Sequence, residues 1–131
     1  MFVWKNHAAM STDKILTIVI PAYNSSKYLE RCLDSFILDP EYMSLIQVLV
    51  VNDGSKDNTS EIAHKYSERY PKAIFVVDKT NGNYGSCMNV GLSMATGKYF
   101  KTLDSDDWYE PAGLTRLLKD LQKSDADLVI N

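Results

Sequence analysis

The sequence has few cysteines, no excess of basic charge and no long apolar run. Its two cysteines, Cys32 and Cys87, do not belong to a C-x-x-C motif or to a Cys/His cluster. A disulfide framework and a cysteine-ligated metal are therefore not indicated. The formal net charge is −3 and the pI is near 5.3, and Lys and Arg are not clustered. This charge distribution excludes the usual electrostatic footprint for nucleic acid, so we expect no nucleic acid partner.

The chain also lacks the apolar segments that direct proteins to or through membranes. Residues 1–11 (MFVWKNHAAMS) contain no apolar core of roughly seven residues, as a signal peptide would. No later run approaches the roughly 18 apolar residues that a membrane span requires. We predict a reduced, cytoplasmic chain without a membrane span, and peripheral attachment at the inner face of the membrane for the full-length protein. We expect residues 1–14 to form an N-terminal extension.

The composition that remains suits one globular domain, with 45% hydrophobic and 24% charged residues. Apolar, β-rich runs alternate with stretches whose apolar residues recur at helical spacing. The predicted strands are 15–20, 46–51, 73–77, 98–103 and 127–130, and the apolar stripes of the predicted helices lie within 29–37, 62–70, 87–95 and 114–121. Pro21 is expected to end the first strand because proline cannot donate to a ladder bond. The alternation predicts an α/β fold, a mostly parallel, Rossmann-like sheet with helices on both faces.

In an open parallel sheet, ligands bind beyond the carboxyl ends of the strands. Asp104 and Asp106 follow the fourth predicted strand, where their carboxylates are placed to hold a hard cation together with a diphosphate. The D-x-D motif alone is weak evidence for a metal site, because Asp125 and Asp127 form a second copy of it. That second pair precedes the fifth strand, at the opposite edge of the sheet, and we interpret it as a solvated helix exit. The position of Asp104 and Asp106 after the end of a strand therefore favours them over Asp125 and Asp127 as cation ligands.

Other polar residues follow the first three strands. Asp53 is placed to accept a hydrogen bond from a base or a ribose. The local sequence Asp53-Gly54-Ser55, however, is typical of a turn and favours a residue that caps the next helix. Tyr23 could stack on a base ring or serve as a packing residue. The loop 81–85 permits close backbone approach to a phosphate, but it has no complete G-x-G-x-x-G or Walker pattern, so a loop without a binding role is an equal alternative.

The remaining candidates favour structural roles. Cys32 and Cys87 fall on apolar stripes and are predicted to be core thiols. His7 and His64 lie on polar segments and are predicted to be surface residues. For Trp108, beside the acidic pair, two alternatives stay equal: it lines a sugar site, or it packs beneath the loop.

Four segments together resemble the family 2 glycosyltransferases of the GT-A fold. They are TIVIPAYN (17–24), VLVVNDGSKDNT (48–59), NGNYGSCMNVGLSMATGKYF (81–100) and LDSDDWYEP (103–111), in the order and spacing of that family. The resemblance implies that residues 15–131 form the nucleotide-sugar-binding, N-terminal portion of a GT-A domain. It also implies that the chain is truncated and lacks the acceptor half.

By the same resemblance, two sets of residues bind the donor. On the nucleotide side, the backbone around Pro21 and the Tyr23 ring face the base, Asp53 hydrogen-bonds the uracil or its ribose, and Asn83 contacts the base. On the diphosphate side, Asp104 touches the ribose or diphosphate, and Ser105 also contacts the nucleotide sugar. Asp106 ligates Mn²⁺ or Mg²⁺, and Asp104 is the second metal ligand. Asp107 is a neighbouring carboxylate.

The activity implied is the inverting transfer of a sugar from a nucleotide diphosphate, commonly UDP, to a hydroxyl of a carbohydrate or lipid-linked acceptor. Surface polysaccharide synthesis is the pathway expected from the family. An inverting displacement needs a general base. The resemblance places that base downstream of Asn131, so we expect no catalytic residue in this chain and little turnover from it alone. Cys87-Met88-Asn89 stands where many relatives have Ala-Arg-Asn, which removes one basic contact to the diphosphate.

Three alternatives compete with this prediction. A non-catalytic nucleotide-binding module of similar topology would bind without a metal effect. A nucleotidyltransferase should have a glycine-rich, basic loop after the first strand, where this chain has Pro21-Ala22-Tyr23-Asn24. A dehydrogenase would need glycines in the same turn.

Overall fold

The computed structural model describes residues 2–7 and 13–130 of the chain. Within these residues a six-stranded sheet is packed against helices on both faces. The strands are β1 (Phe2–Lys5), β2 (Leu16–Ala22), β3 (Ile46–Asp53), β4 (Ile74–Lys79), β5 (Tyr99–Thr102) and β6 (Leu128–Ile130). The helices are α1 (Leu29–Asp34), α2 (Pro40–Met43), α3 (Thr59–Arg69), α4 (Tyr84–Met94) and α5 (Pro111–Lys123).

The sheet is mostly parallel, as the sequence predicts. Its strand order is β4-β3-β2-β5-β1-β6. The four central strands β4, β3, β2 and β5 pair in parallel, while β1 is antiparallel to both β5 and β6. The order reverses between β2 and β5, since the chain adds β3 and β4 on one side of β2 and returns to the other side with β5. Such a switch point opens a crevice at the carboxyl edge of the sheet.

Strand β1 lies within residues 1–14, for which the sequence predicts an N-terminal extension and no strand. It is only four residues long, and its partners lie about a hundred residues away in the sequence: Trp4 pairs with Phe100 and with Leu128. The Trp4 ring stacks on that of Phe100 at 5.8 Å between centroids. A strand this short has no periodicity that distinguishes it from an extended tail, so only the tertiary pairing reveals it.

The prediction that Pro21 ends the first strand is wrong. β2 continues to Ala22, and Pro21 pairs with Val51 of β3. The carbonyl oxygen of Val19 accepts a hydrogen bond from the Leu103 N–H at 3.0 Å, so alternate residues of β2, including Pro21, direct their backbone groups towards β5. Pro21 lies where this pairing ends, since β5 ends at Thr102, so the missing N–H falls at the end of the ladder and interrupts no bond within it.

The first helix is shorter than its apolar stripe suggested. α1 ends at Asp34, and the chain continues in tighter turns, with the Phe36 N–H donating to the Leu33 carbonyl at 3.0 Å. The hydroxyl of Ser35 donates to the Cys32 carbonyl at 2.6 Å, which satisfies a group that a continued helix would have used. Phe36 nevertheless stays fully buried. The short helix α2 was not predicted.

The core forms two layers, one on each face of the sheet. Ile18, Ile20, Val48 and Val50 belong to the larger layer, which also contains buried residues of α1, α3 and α5. The alternate residues of β2 and β3 pack with α4 in a smaller layer formed by Val19, Leu49, Val51 and Cys87. This period-2 alternation is what buries both faces of a parallel sheet.

Both cysteines are buried free thiols, as predicted. Burial raises the pKa of Cys32 to about 12, and the nearby carboxylates of Asp107 and Asp106 act in the same direction. These thiols are packing residues and remain protonated at neutral pH.

None of the helices in residues 2–7 and 13–130 has the length and apolar content needed to cross a membrane.

Close packing of α4 on β2 depends on Gly91. A Cβ at Gly91 would lie 2.4 Å from Cγ1 of Val19, a buried, β-branched side chain with little freedom to move. We predict that Gly91→Ala lowers the free energy of unfolding by about 1–3 kcal/mol in urea denaturation.

The matched control is Gly113→Ala in α5, where the nearest atom to the added Cβ is 4.0 Å away. Alanine is the better helix former, so this variant should be more stable than the parent by about 0.5–1 kcal/mol. Equal effects of the two substitutions would contradict the close contact between α4 and β2.

Candidate nucleotide and metal site

Loops that follow β2, β3, β4 and β5 meet at the carboxyl edge of the sheet. Because these four strands are parallel, their carboxyl ends lie at one edge. Hydrogen bonds join the loop after β2 to the loops after β3 and β5, and join the last residue of β3 to the loop after β4. The predicted site residues in these loops are therefore brought together.

Three carboxylates stand at the end of β5. Asp104, Asp106 and Asp107 are exposed, and each offers an oxygen within 4.8 Å of the others. A turn closed by the Asp107 N–H and the Asp104 carbonyl, 2.9 Å apart, brings the first and last of them together. Oxygens at this spacing can share one hard cation with bonds of about 2.0–2.6 Å. The donor set therefore fits Mn²⁺ or Mg²⁺, and it adds Asp107 to the predicted pair.

The second D-x-D pair lies at the opposite edge, as its position in the sequence predicts. A carboxylate oxygen of Asp125 is 2.7 Å from Nζ of Lys5 and 3.7 Å from Nζ of Lys98. Lys98 immediately precedes β5, and Lys5 ends the antiparallel strand β1, so both lysines mark the amino edge of the parallel strands. Asp125 and Asp127 therefore have no part in the site.

Asp53 is the buried carboxylate of the site. One of its oxygens accepts hydrogen bonds from Nζ of Lys79 at 2.9 Å and from the Gly82 N–H at 2.8 Å. The other accepts from the Asn83 N–H at 3.1 Å. Burial alone would raise the pKa of Asp53, but these bonds and the lysine charge hold the pKa below its ordinary value.

These bonds give Asp53 a role that the sequence analysis missed. In the structure Asp53 does not cap the next helix, α3, whose N-cap is Asn58; it anchors the loop after β4. The Asn81 side chain adds a bond to the Asp53 carbonyl at 3.0 Å. Gly54, with φ of 72°, allows this approach, because a Cβ there would lie 2.8 Å from the Asn81 nitrogen. No local pattern reveals the role, since Lys79 is 26 residues away.

Asn83 has a structural role in addition to the predicted contact with a base. Its backbone adopts φ of 101°, and its side-chain oxygen accepts a hydrogen bond from the Ser86 N–H at 3.0 Å. It is therefore the N-cap of α4. The cap lies beside Asp53, so the start of α4 points into the crevice.

The loop after β2 carries Tyr23, whose side chain is 49% exposed. Asn24, in the left-handed region with φ of 48°, fixes this loop against the next one. Its N–H donates to Oγ of Ser55 at 2.9 Å, and its side-chain oxygen accepts from the Lys56 N–H at 2.8 Å. Tyr23 is thus presented to solvent from a braced backbone, beside Pro21 at the end of β2.

Asp57 links the same two loops from the other side. Its carboxylate accepts hydrogen bonds from the hydroxyl and the N–H of Thr59, the latter at 3.0 Å, and from the Ser26 N–H at 3.2 Å. The hydroxyl bond from Thr59 is the main cause that lowers the pKa of Asp57 to about 2. No local sequence pattern indicates this role of Asp57, because its loop partner Ser26 is 31 residues away.

Trp108 does not pack beneath the acidic loop. Its ring is 50% exposed, and the guanidinium of Arg31 lies 3.3 Å from the ring centroid. Its neighbour Tyr109 takes the packing position instead, with its ring edge-on to Phe36 at 5.6 Å. The structure therefore leaves Trp108 and a positive charge at the rim of the site.

Lys101 of β5 is a buried charge that the strand pattern did not indicate. Its side chain is fully buried, and Nζ lies 4.5 Å from the Tyr109 ring centroid. Burial lowers the pKa of Lys101 to about 8.

The two histidines lie at the surface, as predicted. His64 is half-exposed and pairs with Asp78 at 2.7 Å, and His7 lies 3.1 Å from Asp127. Neither contacts the acidic cluster.

Comparison with known families gives one consistent answer. The family described as Glycosyl transferase family 2 matches residues 17–131. An uncharacterized glycosyltransferase of Mycoplasma pneumoniae is 43% identical over 102 residues, which cover 76% of this chain and 34% of that protein. The chondroitin synthase of Pasteurella multocida is 39% identical over 109 residues, covering 83% of this chain and 11% of the synthase. The chain thus spans about a third or less of the length of these relatives.

Solved structures agree with the fold. TarS 1–349 of S. aureus, in complex with UDP, superposes with a TM-score of 0.70 at 32% identity, covering 83% of this chain and 32% of that one. The mannosyltransferase PcManGT of Pyrobaculum calidifontis, in complex with GDP-Man and Mn²⁺, gives a TM-score of 0.69 at 22% identity, covering 88% and 34%. At 22% identity, the similarity to the mannosyltransferase structure establishes the fold alone.

The depressed pKa of Asp57 predicts a pH-dependent contribution to stability. A carboxylate whose pKa falls from 3.8 to about 2 on folding stabilises the protein above pH 4 and loses that effect as the pH falls to about 2. We predict that Asp57→Asn lowers the free energy of unfolding at pH 7, and that its difference from the parent shrinks between pH 4 and pH 2.

Urea denaturation at a series of pH values measures this difference. Asp39→Asn is the control, because Asp39 makes no side-chain capping bond at the start of α2. A difference between parent and Asp57→Asn that stays constant down to pH 2 would show that the carboxylate bonds do not form.

Proposed function

The chain belongs to glycosyltransferase family 2, and we propose that its carboxyl-edge loops form the donor site of an enzyme that takes a nucleotide-diphosphate sugar through a divalent metal ion. The observation that carries this proposal is the grouping of three carboxylates within 4.8 Å at the end of β5, in the crevice beside the loops after β2, β3 and β4. Residues 15–131 are then the nucleotide-sugar-binding portion of a longer GT-A domain, and residues 1–14 an extension that contributes β1.

The nucleotide base is proposed to bind between the loops after β2 and β4. The exposed Tyr23 ring offers a stacking surface, and the Pro21 backbone borders it. Asp53 already accepts three hydrogen bonds, but a carboxylate has about four lone-pair positions, so it can accept one more from the N–H of a uracil. Asn83 lies beside it. The preference for UDP is supported by the complexes of TarS, a relative solved with UDP and with UDP-GlcNAc.

The diphosphate is proposed to lie over the acidic cluster. Asp104 and Asp106 would hold Mn²⁺ or Mg²⁺, with Asp107 as a third carboxylate within reach, and Ser105 would contact the donor. When bound, the cation would stabilise the negative charge that grows on the departing diphosphate as the C1–O bond of the sugar breaks. The carboxylates themselves would hold that cation at the end of β5.

The transfer is proposed to be inverting, onto a hydroxyl of a carbohydrate or lipid-linked acceptor. Its general base would come from a part of the protein beyond residue 131. A role in surface polysaccharide synthesis is supported by relatives named chondroitin synthase and hyaluronan synthase. A cytoplasmic location, with peripheral attachment to the inner face of the membrane, is part of the same proposal.

The proposal predicts metal-dependent binding of UDP. In calorimetric titrations, Mn²⁺ should strengthen UDP binding by the parent chain, and Asp106→Asn should abolish that gain, a loss of at least about tenfold in affinity, because one metal ligand is lost. Asp125→Asn is the matched control, since it changes the corresponding D-x-D pair at the opposite edge of the sheet and should bind as the parent does.

The competing function, a nucleotide-binding module without catalysis, predicts UDP binding that ignores the metal. UDP binding that is equal with and without Mn²⁺, or a metal effect that survives Asp106→Asn, would favour that function and contradict ours.

A further inference from the structure

Ser25 lies between the two halves of the proposed donor site. It is 5% exposed, and its hydroxyl oxygen is 2.6 Å from the hydroxyl oxygen of Ser105 and 3.2 Å from the Tyr23 carbonyl oxygen. Ser105 is the residue between Asp104 and Asp106, and Tyr23 is the candidate base-stacking residue. One buried hydroxyl therefore contacts the metal side and the nucleotide side of the site.

The chemistry of the three groups limits how these hydrogen bonds can run. The Tyr23 carbonyl oxygen can only accept, so the Ser25 hydroxyl is the donor in that contact. Between the two serine hydroxyls either oxygen can be the donor. In both directions the Ser25 and Ser105 side chains are joined by one hydrogen bond.

Ser25 is itself held by the start of α3. Its N–H donates to Oγ1 of Thr59 at 2.8 Å, and Thr59 is fully buried. The Thr59 hydroxyl gives its own proton to the Asp57 carboxylate, which also accepts the N–H of Ser26. Successive hydrogen bonds thus run from the Asp57 carboxylate through Thr59 and Ser25 to the acidic loop.

We propose that Ser25 is a positioning residue that holds the loop 104–107 in register with the Tyr23 loop, so that metal and nucleotide bind as one unit. Three exposed carboxylates within 4.8 Å repel one another and would spread if their loop were unrestrained. A bond at Ser105 restrains the residue between two of them. The proposal rests on the proposed function for its ligand, Mn²⁺ with UDP, but the restraint itself exists without any ligand.

Ser25→Ala tests the restraint in the unliganded chain. We expect faster amide hydrogen exchange at residues 104–107, measured by NMR, with exchange in α4 and α5 unchanged. Ser26→Ala is the matched control, because Ser26 contributes its backbone N–H, which alanine retains. A Ser25→Ala variant whose amide exchange at residues 104–107 equals that of Ser26→Ala would overturn the inference, whether or not the chain binds UDP.

Binding tests the coupling. In the presence of Mn²⁺, Ser25→Ala should weaken UDP binding about three- to tenfold, the effect of one lost hydrogen bond, and should leave the binding of uridine unchanged. Ser105→Ala should weaken binding at least as much, because it also removes the proposed contact with the donor, and the double variant should be no weaker than Ser105→Ala alone. Additive losses in the double variant, or an equal loss for uridine, would contradict a shared positioning bond.

The two proposals fail in distinguishable ways. Absence of a metal effect on UDP binding in the parent chain contradicts the proposed function alone. Unchanged exchange at the acidic loop in Ser25→Ala contradicts the positioning role alone.

Discussion

The buried carboxylate of Asp53 is the interaction on which the proposed nucleotide side of the site depends. It lies at the last residue of a fully buried strand, where an unpaired charge would cost several kcal/mol. The chain meets this requirement with the ammonium of Lys79 and with backbone N–H groups of Gly82 and Asn83. The need to satisfy one charge thus determines the path of the loop after β4 and the point at which α4 begins.

The opposite arrangement is found at the end of β5. There, Asp104, Asp106 and Asp107 are exposed and close to one another, so their mutual repulsion favours a bound cation over internal partners. The site therefore combines carboxylates of two kinds. Asp53 and Asp57 are depressed in pKa by donors of the protein and serve to brace loops, while the acidic cluster remains open to solvent. This division follows from the available donors rather than from residue type, since Asp57 is exposed, as the three carboxylates of the acidic cluster are.

The sequence predicted what depends on local pattern. The central strands β2 and β3 are continuous apolar runs, and Asp104 with Asp106 could be placed at a strand end, so both the parallel sheet and the acidic pair were predicted. Features that depend on distant partners were missed. β1 pairs with strands about a hundred residues away, Pro21 lies within β2 at the point where the pairing with β5 ends, and the hydroxyls of Ser25 and Ser105 meet across 80 residues. No periodicity within one segment can encode such contacts, because each requires the folded sheet to bring two loops together.

The central claim is that the acidic cluster and the nucleotide loops act as a single site for a metal and a nucleotide diphosphate. Paramagnetic broadening of amide NMR signals by Mn²⁺ in the presence of UDP tests it most directly, since the effect reports distance from the ion. The claim predicts selective broadening at residues 104–107, with weaker effects at 23–26 and 81–84 and none at 125–127. Broadening centred at 125–127, or spread evenly over the acidic surface, would contradict it.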